Sequence, residues 1–140
     1  MEKVHFIVCS GWATFRNVTA PPARHVRRKW NTRADSLAND IVQKRIPHYA
    51  SPVSIYELLS YNCWRITFDG ASKGNPGPAA AAWILWGLSK SGWIEVQHGG
   101  SYFENTTSVM AESWACSLGV EALMRVFQRR AHRINCSLVS

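Results

Sequence analysis

Apolar and polar residues alternate in the middle of the chain, beginning at Trp64. The apolar positions are Trp64, Ile66 and Phe68, and the polar positions are Arg65, Thr67 and Asp69. A period of two predicts a strand with one buried face, because successive side chains point to opposite sides. We therefore expect Asp69 to end this strand and to face away from its aromatic side.

Two further strands and a long helix are predicted after this strand. Residues 79–86 and 93–97 are strand-like, and the turn residues between them, 87–92, predict an antiparallel meander. Apolar residues then recur at helical spacing over 108–130, which places Glu112 in the first turn of a helix. A last short strand is predicted over 133–139.

The amino-terminal part predicts a second helix. Five apolar residues recur at helical spacing within 31–45, namely Ala34, Leu37, Ala38, Ile41 and Val42. Asp35 lies in the first turn of this helix. Closer to the amino terminus, Val4, Phe6 and Val8 alternate with other residues, which fits either an extra strand or unrelated sequence.

Residues 45–63 separate these two parts of the chain. Pro47 and Pro52 interrupt any long element there, although residues 55–59 have the pattern of one helical turn. We interpret the segment as a linker between an amino-terminal part, 1–44, and a carboxy-terminal part, 64–140.

The composition fits one compact, soluble domain. The chain has 140 residues, of which 46% are hydrophobic, enough for a single core. The longest apolar run, 78–88, is shorter than a membrane span, and Glu2 and His5 stand where a signal peptide would be basic and then apolar. We expect an intracellular protein, cytoplasmic or nuclear, that is neither secreted nor bound to a membrane.

The four cysteines give little indication of function. They are Cys9, Cys63, Cys116 and Cys136, and no two of them form a C-x-x-C pair, which argues against a zinc site. Their wide spacing fits free thiols in a reducing compartment.

The chain is basic. Sixteen Lys and Arg residues stand against nine Asp and Glu, for a net charge of +7. A charge of this sign is expected of a protein that meets polyanions, although solvated surface alone gives the same balance. The positive residues cluster within 24–33 and 125–133, which favours binding to nucleic acid.

Two acidic residues, Asp69 and Glu112, lie on adjacent predicted elements, where they can share a divalent cation. Magnesium takes oxygen ligands and commonly needs only one or two carboxylates plus phosphate oxygens. Two such ions that flank a phosphodiester activate water and stabilise the leaving oxygen. Each acid also has a purely structural explanation, because a carboxylate after a strand caps the following turn and one in a helix's first turn favours the helix dipole.

Three segments resemble motifs of the type 1 ribonuclease H family. They are DGASKGNPGPA at 69–79, TTSVMAE at 106–112 and INCSLV at 134–139. The first is the most specific of the three. In the third, Asn135 stands where the family has an aspartate, and in the second, Ser108 and Val109 stand where family members usually have two asparagines.

The fourth motif of that family is also present, but in a different place. The stretch VRRKWNTRADSLA at 26–38 resembles it, yet it precedes the first motif rather than following the third. The order therefore fits a circular permutant, a fragment or decayed gene that crosses the junction of two tandem domains, or a chain that exchanges halves with a second copy. We favour the junction fragment, because the helices between the third and fourth motifs are missing.

The resemblance implies a fold, an activity and a metal site. The fold is an α/β ribonuclease H-like fold with a mixed five-stranded sheet flanked by helices, incomplete or circularly permuted here. The activity is magnesium-dependent cleavage of the RNA strand of an RNA–DNA hybrid, with manganese as a substitute metal. Asp69 would bridge two metal ions, Glu112 would hold the ion near the attacking water, and Asp35 would hold the other, with Asn135 as a weak fourth ligand.

The resemblance also implies nucleic-acid contacts. Ser72, Asn75 and Ser108 would contact the RNA strand, whose 2′-hydroxyls line a wide, shallow minor groove. Arg27 and Arg28, with Arg130 at the other cluster, would contact phosphates. The alternative is a hybrid-binding module or domain fragment without turnover, because Asn135 adds no charge and core helices are missing. A second copy or a larger parent protein would then supply those helices.

Overall fold

The fold is built on one six-stranded sheet. The computed structural model describes residues 2–9, 24–27 and 31–139, with side chains described for 31–133. Two strands come from the amino-terminal part, β1 (Glu2–Cys9) and β2 (Arg24–Arg27), and the others are β3 (Tyr49–Ala50), β4 (Cys63–Ser72), β5 (Gly77–Ser89) and β6 (Gly92–Thr106). The strand order is β2-β1-β4-β5-β6-β3, and every described pair is antiparallel.

The predicted meander is confirmed and is longer than expected. β4 pairs with β5 from Trp64 to Ser72, and β5 pairs with β6 through a tight turn at residues 90–91. In the β4–β5 register, Asp69 lies opposite Ala82, whose side chain belongs to one core cluster, while Phe68 belongs to the other. Asp69 thus faces away from the aromatic side of β4, as the alternation predicts.

The two predicted helices form and cover opposite faces of the sheet. The first, α1 (Thr32–Lys44), buries the five apolar residues that its spacing predicts and packs on Ala80, Ala82 and Ile84. The second, α3 (Ser108–Val139), packs on the face that carries Trp64, Phe68 and Trp83. Because Asp69 faces α1 and Gly70 faces α3, the end of β4 lies between the two helices.

The last predicted strand is wrong. Residues 133–139 continue α3, which runs without interruption to Val139. Ile134 and Leu138 are four residues apart, so their spacing fits a helix as well as a strand, and an established helix adds residues at little cost. Glu112 is the fifth residue of α3 and therefore begins its second turn rather than lying in its first.

The expected mixed five-stranded sheet is corrected to a six-stranded antiparallel one. The position beside β4 is taken by β1, so the alternating Val4, Phe6 and Val8 do form an extra strand. β2 then pairs with the outer edge of β1. The segment 45–63 is more than a linker, since it contains β3 and α2 (Ile55–Ser60), and β3 extends the sheet beyond β6.

The cysteine expectation is wrong for one residue. Cys63 is disulfide-bonded, whereas Cys116 is a free thiol. Residues far apart in the chain become neighbours in an antiparallel ladder, and the β1–β4 register places Cys63 opposite Cys9. Within the described residues, no helix combines the length and apolar character that crossing a membrane requires.

Candidate active site

Asp69 is the acid at the centre of the candidate site. Its side chain is fully buried at the end of β4, and Oδ1 accepts a hydrogen bond from the Gly70 backbone N–H at 2.9 Å. This bond is the kind that a carboxylate makes in an ordinary turn, and it also fixes the orientation of the carboxylate. Burying a carboxylate without a cation nearby costs free energy. The groups around Asp69 therefore determine whether its role is structural or metal-binding.

α3 approaches β4 at the residue after Asp69. A Cβ added to Gly70 would lie 2.7 Å from the Ala111 carbonyl carbon and 2.9 Å from Glu112 Cα, and it would also collide with the Glu112 backbone nitrogen. Only glycine therefore allows the strand to pass this close to the helix. The contact places the half-buried Glu112 beside the end of β4, so the structure brings Asp69 and Glu112 to neighbouring backbone positions.

α1 approaches the same strand end from the opposite face. Asn31, which precedes the first residue of α1, is buried and donates from Nδ2 to the Phe68 carbonyl oxygen at 2.9 Å. Asp35 lies four residues later, one helical turn away on the same side of α1, and is half-buried. The start of α1 and its acid are thereby held beside the residue that precedes Asp69.

The glycine- and proline-rich turn connects the site to α3. Gly74 has φ of +100°, a conformation that residues with a Cβ rarely adopt, and the Lys73 N–H donates to the Pro78 carbonyl at 2.7 Å. Asn75 Oδ1 accepts from the Ser108 backbone N–H at 3.1 Å. Ser72 is half-buried at the end of β4. Two of the predicted contact residues, Asn75 and Ser108, are therefore direct partners.

Asn135 does not join these residues. It lies on α3, 23 residues beyond Glu112, which is about 34 Å at 1.5 Å per residue. The structure therefore does not bring Asn135 to Asp69 and Glu112, because residues 133–139 continue α3 instead of forming a strand beside β4. Arg28 lies outside the described residues, and Arg27 is described only as the last residue of β2.

The carboxylate oxygens of the acids are the type of ligand that a hard cation such as magnesium prefers. Among the side chains of 31–133, no group of three or more His, Cys, Asp and Glu residues is close enough to hold a metal ion. Two carboxylates from adjacent elements, completed by phosphate oxygens of a substrate, are nevertheless a common magnesium arrangement. Asp69 and Glu112 lie on adjacent elements, and their backbones come close together at Gly70.

Comparison with known proteins gives one partial match of the kind these motifs predict. The chain is 47% identical over 55 residues to a ribonuclease HI of Halobacterium salinarum. Over that stretch it resembles a ribonuclease H. The match covers 39% of this chain, and the chain spans about a quarter, 26%, of that relative. No family model matches the chain, and no solved structure matches it.

Several residues that shape the site were not predicted from sequence. Asn31 and Gly70 lie within the motifs at 26–38 and 69–79, but local periodicity does not indicate their roles, because both act in contacts between a strand and a helix. Thr107 accepts from the Met110 N–H at 3.2 Å and caps α3. A threonine just before an apolar helical pattern is a recognisable cap signal, and it would have identified the start of this helix.

Two arginines of the basic clusters have structural partners. Arg33 Nε donates to Glu95 Oε1 at 2.7 Å, and Arg130 donates to the Tyr61 carbonyl oxygen at 2.8 Å. Partial burial lowers the pKa of the Arg130 guanidinium. Glu95 therefore offsets the charge of Arg33, whereas Arg130 keeps its charge and also ties α3 to Tyr61.

Proposed function

We propose that this chain binds RNA–DNA hybrids and hydrolyses their RNA strand with the aid of divalent metal ions. The observation that carries the proposal is the meeting of three acid-bearing elements at one strand end. Gly70 packs against α3 at Glu112, and Asn31 ties α1, which carries Asp35, to Phe68. The similarity to a ribonuclease HI supports the same activity at the level of the reaction class.

The proposed chemistry assigns each acid a position around the scissile phosphate. Asp69 would be the ligand common to the metal ions, because its strand lies between the two helices. Glu112 would hold the ion that activates the attacking water, and Asp35 the ion that stabilises the leaving oxygen. Magnesium, or manganese in its place, supplies water activation and stabilisation of the leaving oxygen when two ions are bound.

Recognition of the RNA strand is proposed for the turn beside the site. Ser72 and Ser108 carry hydroxyls near the strand end, and both are partly exposed. Asn75 already uses Oδ1 to accept from Ser108, so its side-chain NH₂ is the group that can donate to a 2′-hydroxyl or phosphate. The hydrogen bond between Asn75 and Ser108 holds the turn against α3 before the substrate binds.

A second candidate function is hybrid binding without turnover. It is favoured by the position of Asn135, about 34 Å along α3 from Glu112. The third motif has Asn135 in place of an acid, so Asp69, Glu112 and Asp35 carry less negative charge to hold two cations than four carboxylates would. The two candidates share a substrate and differ only in the chemical step.

Cleavage of end-labelled substrates separates the two candidates. An RNA–DNA hybrid is incubated with the full chain in magnesium, in manganese and with EDTA, beside single-stranded RNA and duplex DNA. Metal-dependent cutting of only the RNA in the hybrid supports the nuclease. Tight hybrid binding with no cutting in either metal supports the binding module, and the absence of both contradicts the proposal.

A further inference from the structure

A pocket lies between α2 and α3, at the opposite end of β4 from Asp69. Its volume is about 390 Å³, and it is lined by Ile55, Gln128, Arg129, His132 and Arg133. That volume is within the range of pockets that hold small-molecule groups. None of the residues assigned above to the candidate active site lines it.

The pocket is positively charged along one helical face. Arg129, His132 and Arg133 are spaced three and four residues apart and therefore lie on one side of α3, and all three are exposed. Arg125 lies one turn earlier and is also exposed. The acid on the facing helix, Glu57, accepts a hydrogen bond at 3.3 Å from the hydroxyl of Ser54, the residue that caps α2.

The walls of the pocket are fixed by packing on both sides. Leu58 of α2 is fully buried in the same core cluster as Val126 and Phe127 of α3. Arg130 donates to the Tyr61 carbonyl oxygen just before β4, which ties α3 to the segment that follows α2. The basic groups are therefore presented by a held helix rather than by a loop.

We propose that this pocket binds backbone phosphates of a nucleic-acid strand, as a contact site separate from the carboxylates. Guanidinium groups suit phosphate because they donate two parallel hydrogen bonds to its oxygens. Arg129 and Arg133 supply such groups at a single pocket, with His132 between them. The identity of the nucleic acid as an RNA–DNA hybrid rests on the proposed function.

The spacing of the two sites sets a minimum length for the ligand. α3 runs along β4, since Gly70 meets Glu112 at one end and Arg130 meets Tyr61 at the other. Glu112 and Arg129 are 17 residues apart, which is about 26 Å along the helix. At about 3.4 Å per phosphate on one strand, a ligand that reaches both sites needs about eight phosphates.

The test compares two double variants that remove the same charge. Arg129→Gln/Arg133→Gln empties the pocket of guanidinium groups, whereas Lys44→Gln/Arg45→Gln removes two exposed charges at the end of α1, on the other face of the sheet. Hybrids of 6 and 20 base pairs are titrated by fluorescence anisotropy over a series of KCl concentrations. Circular dichroism checks that each variant is folded.

Loss of phosphate contacts has a defined signature in this experiment. For the 20-base-pair hybrid, the slope of log K against log salt should fall by about 1.8 in the pocket variant, at about 0.9 per contact. The 6-base-pair hybrid is too short to reach both sites at once, so its affinity should fall less in the pocket variant than that of the 20-base-pair hybrid. An unchanged slope, or an equal fall in the α1 variant, overturns the assignment while leaving hybrid binding itself intact.

A second readout does not depend on the hybrid. Inorganic pyrophosphate titrated into the ¹⁵N-labelled protein should shift the amide resonances of residues 128–133, and the pocket variant should lose those shifts. If the hybrid fails to bind but these shifts appear, the phosphate pocket stands and the proposed function fails. If pyrophosphate leaves these resonances unchanged in the wild type, the pocket is not a phosphate site.

Discussion

At the scale of single residues, Asn31 has the clearest structural role in the candidate site. It is buried at the start of α1, and its Nδ2 bond to the Phe68 carbonyl is a direct side-chain link between α1 and β4. The motif that contains it also carries Asp35, four residues later. The asparagine positions the acid, because it fixes the helix turn on which that acid lies.

Replacing this asparagine should destabilise the protein. Asn31→Ala removes this buried hydrogen bond between α1 and β4, which should cost about 0.5–1.5 kcal/mol in the free energy of unfolding. Urea denaturation measures this loss. Asn39→Ala, at an exposed position on the same helix, is the matched control and should change stability by less than about 0.5 kcal/mol. Equal losses in both variants would contradict a specific role for Asn31.

The burial of Cys116 predicts how the stability of the fold depends on pH. Burial raises the pKa of its thiol above the ordinary value, so the folded state holds this proton more tightly than the unfolded chain does. The stability that results is present below the unfolded pKa of 9.0 and is lost as pH rises through the folded value. Urea unfolding at pH 7 and pH 10, without reductant, should show wild type losing more stability than Cys116→Ala. Parallel losses would contradict this account.

At the scale of elements, the contact between β4 and α3 is tightest where two glycines allow it. A Cβ on Gly70 would press on the α3 backbone at Ala111 and Glu112, whereas one on Gly119 would lie 2.7 Å from the Ile66 side chain. A side chain can move more easily than a helix backbone. Substitution at Gly119 therefore tests only the packing of the core, whereas substitution at Gly70 also tests the position of Glu112.

Alanine at each glycine should have a different effect on activity. Both Gly70→Ala and Gly119→Ala should destabilise the fold by about 1–3 kcal/mol, as overpacked sites do. Gly70→Ala should also lower hybrid cleavage by the folded protein by about a hundredfold, because it displaces Glu112. Cleavage rates are measured under conditions in which both variants are folded. A Gly119→Ala protein that loses as much activity would contradict the placement argument.

At the scale of the whole molecule, some features follow from sequence and others do not. The strand that carries Asp69 and the helix that carries Asp35 have strong local periodicity, and both form, although β4 runs three residues beyond the expected end at Asp69, to Ser72. The strand expected over 133–139 is wrong, because Ile134 and Leu138 satisfy helical spacing too. Which strand lies beside β4 depends on the distant β1, and the contacts of Gly70 and Asn31 depend on packing between elements. Local patterns of apolar and polar residues do not reveal which distant elements come into contact.

The packing of the sheet also indicates how many copies of the chain are needed to assemble the candidate active site. α1 and α3 both pack on the sheet that contains β4 within one chain, so one chain carries all three acids in this fold. We predict that light scattering during gel filtration gives the mass of one chain and that hybrid cleavage per chain is independent of protein concentration. A dimer whose dissociation abolishes cleavage would favour exchange of halves between two copies.

The account depends most on the claim that Asp69 is the central carboxylate of a metal-dependent nuclease site. The direct measurement is the single-turnover rate of RNA cleavage in a hybrid by wild type, Asp69→Asn and Asp40→Asn, in saturating magnesium. Asp40 is an exposed acid on α1 and serves as the control. The account predicts a loss of about a hundredfold or more for Asp69→Asn and a rate near wild type for Asp40→Asn. Cleavage by folded Asp69→Asn at the wild-type rate would contradict it.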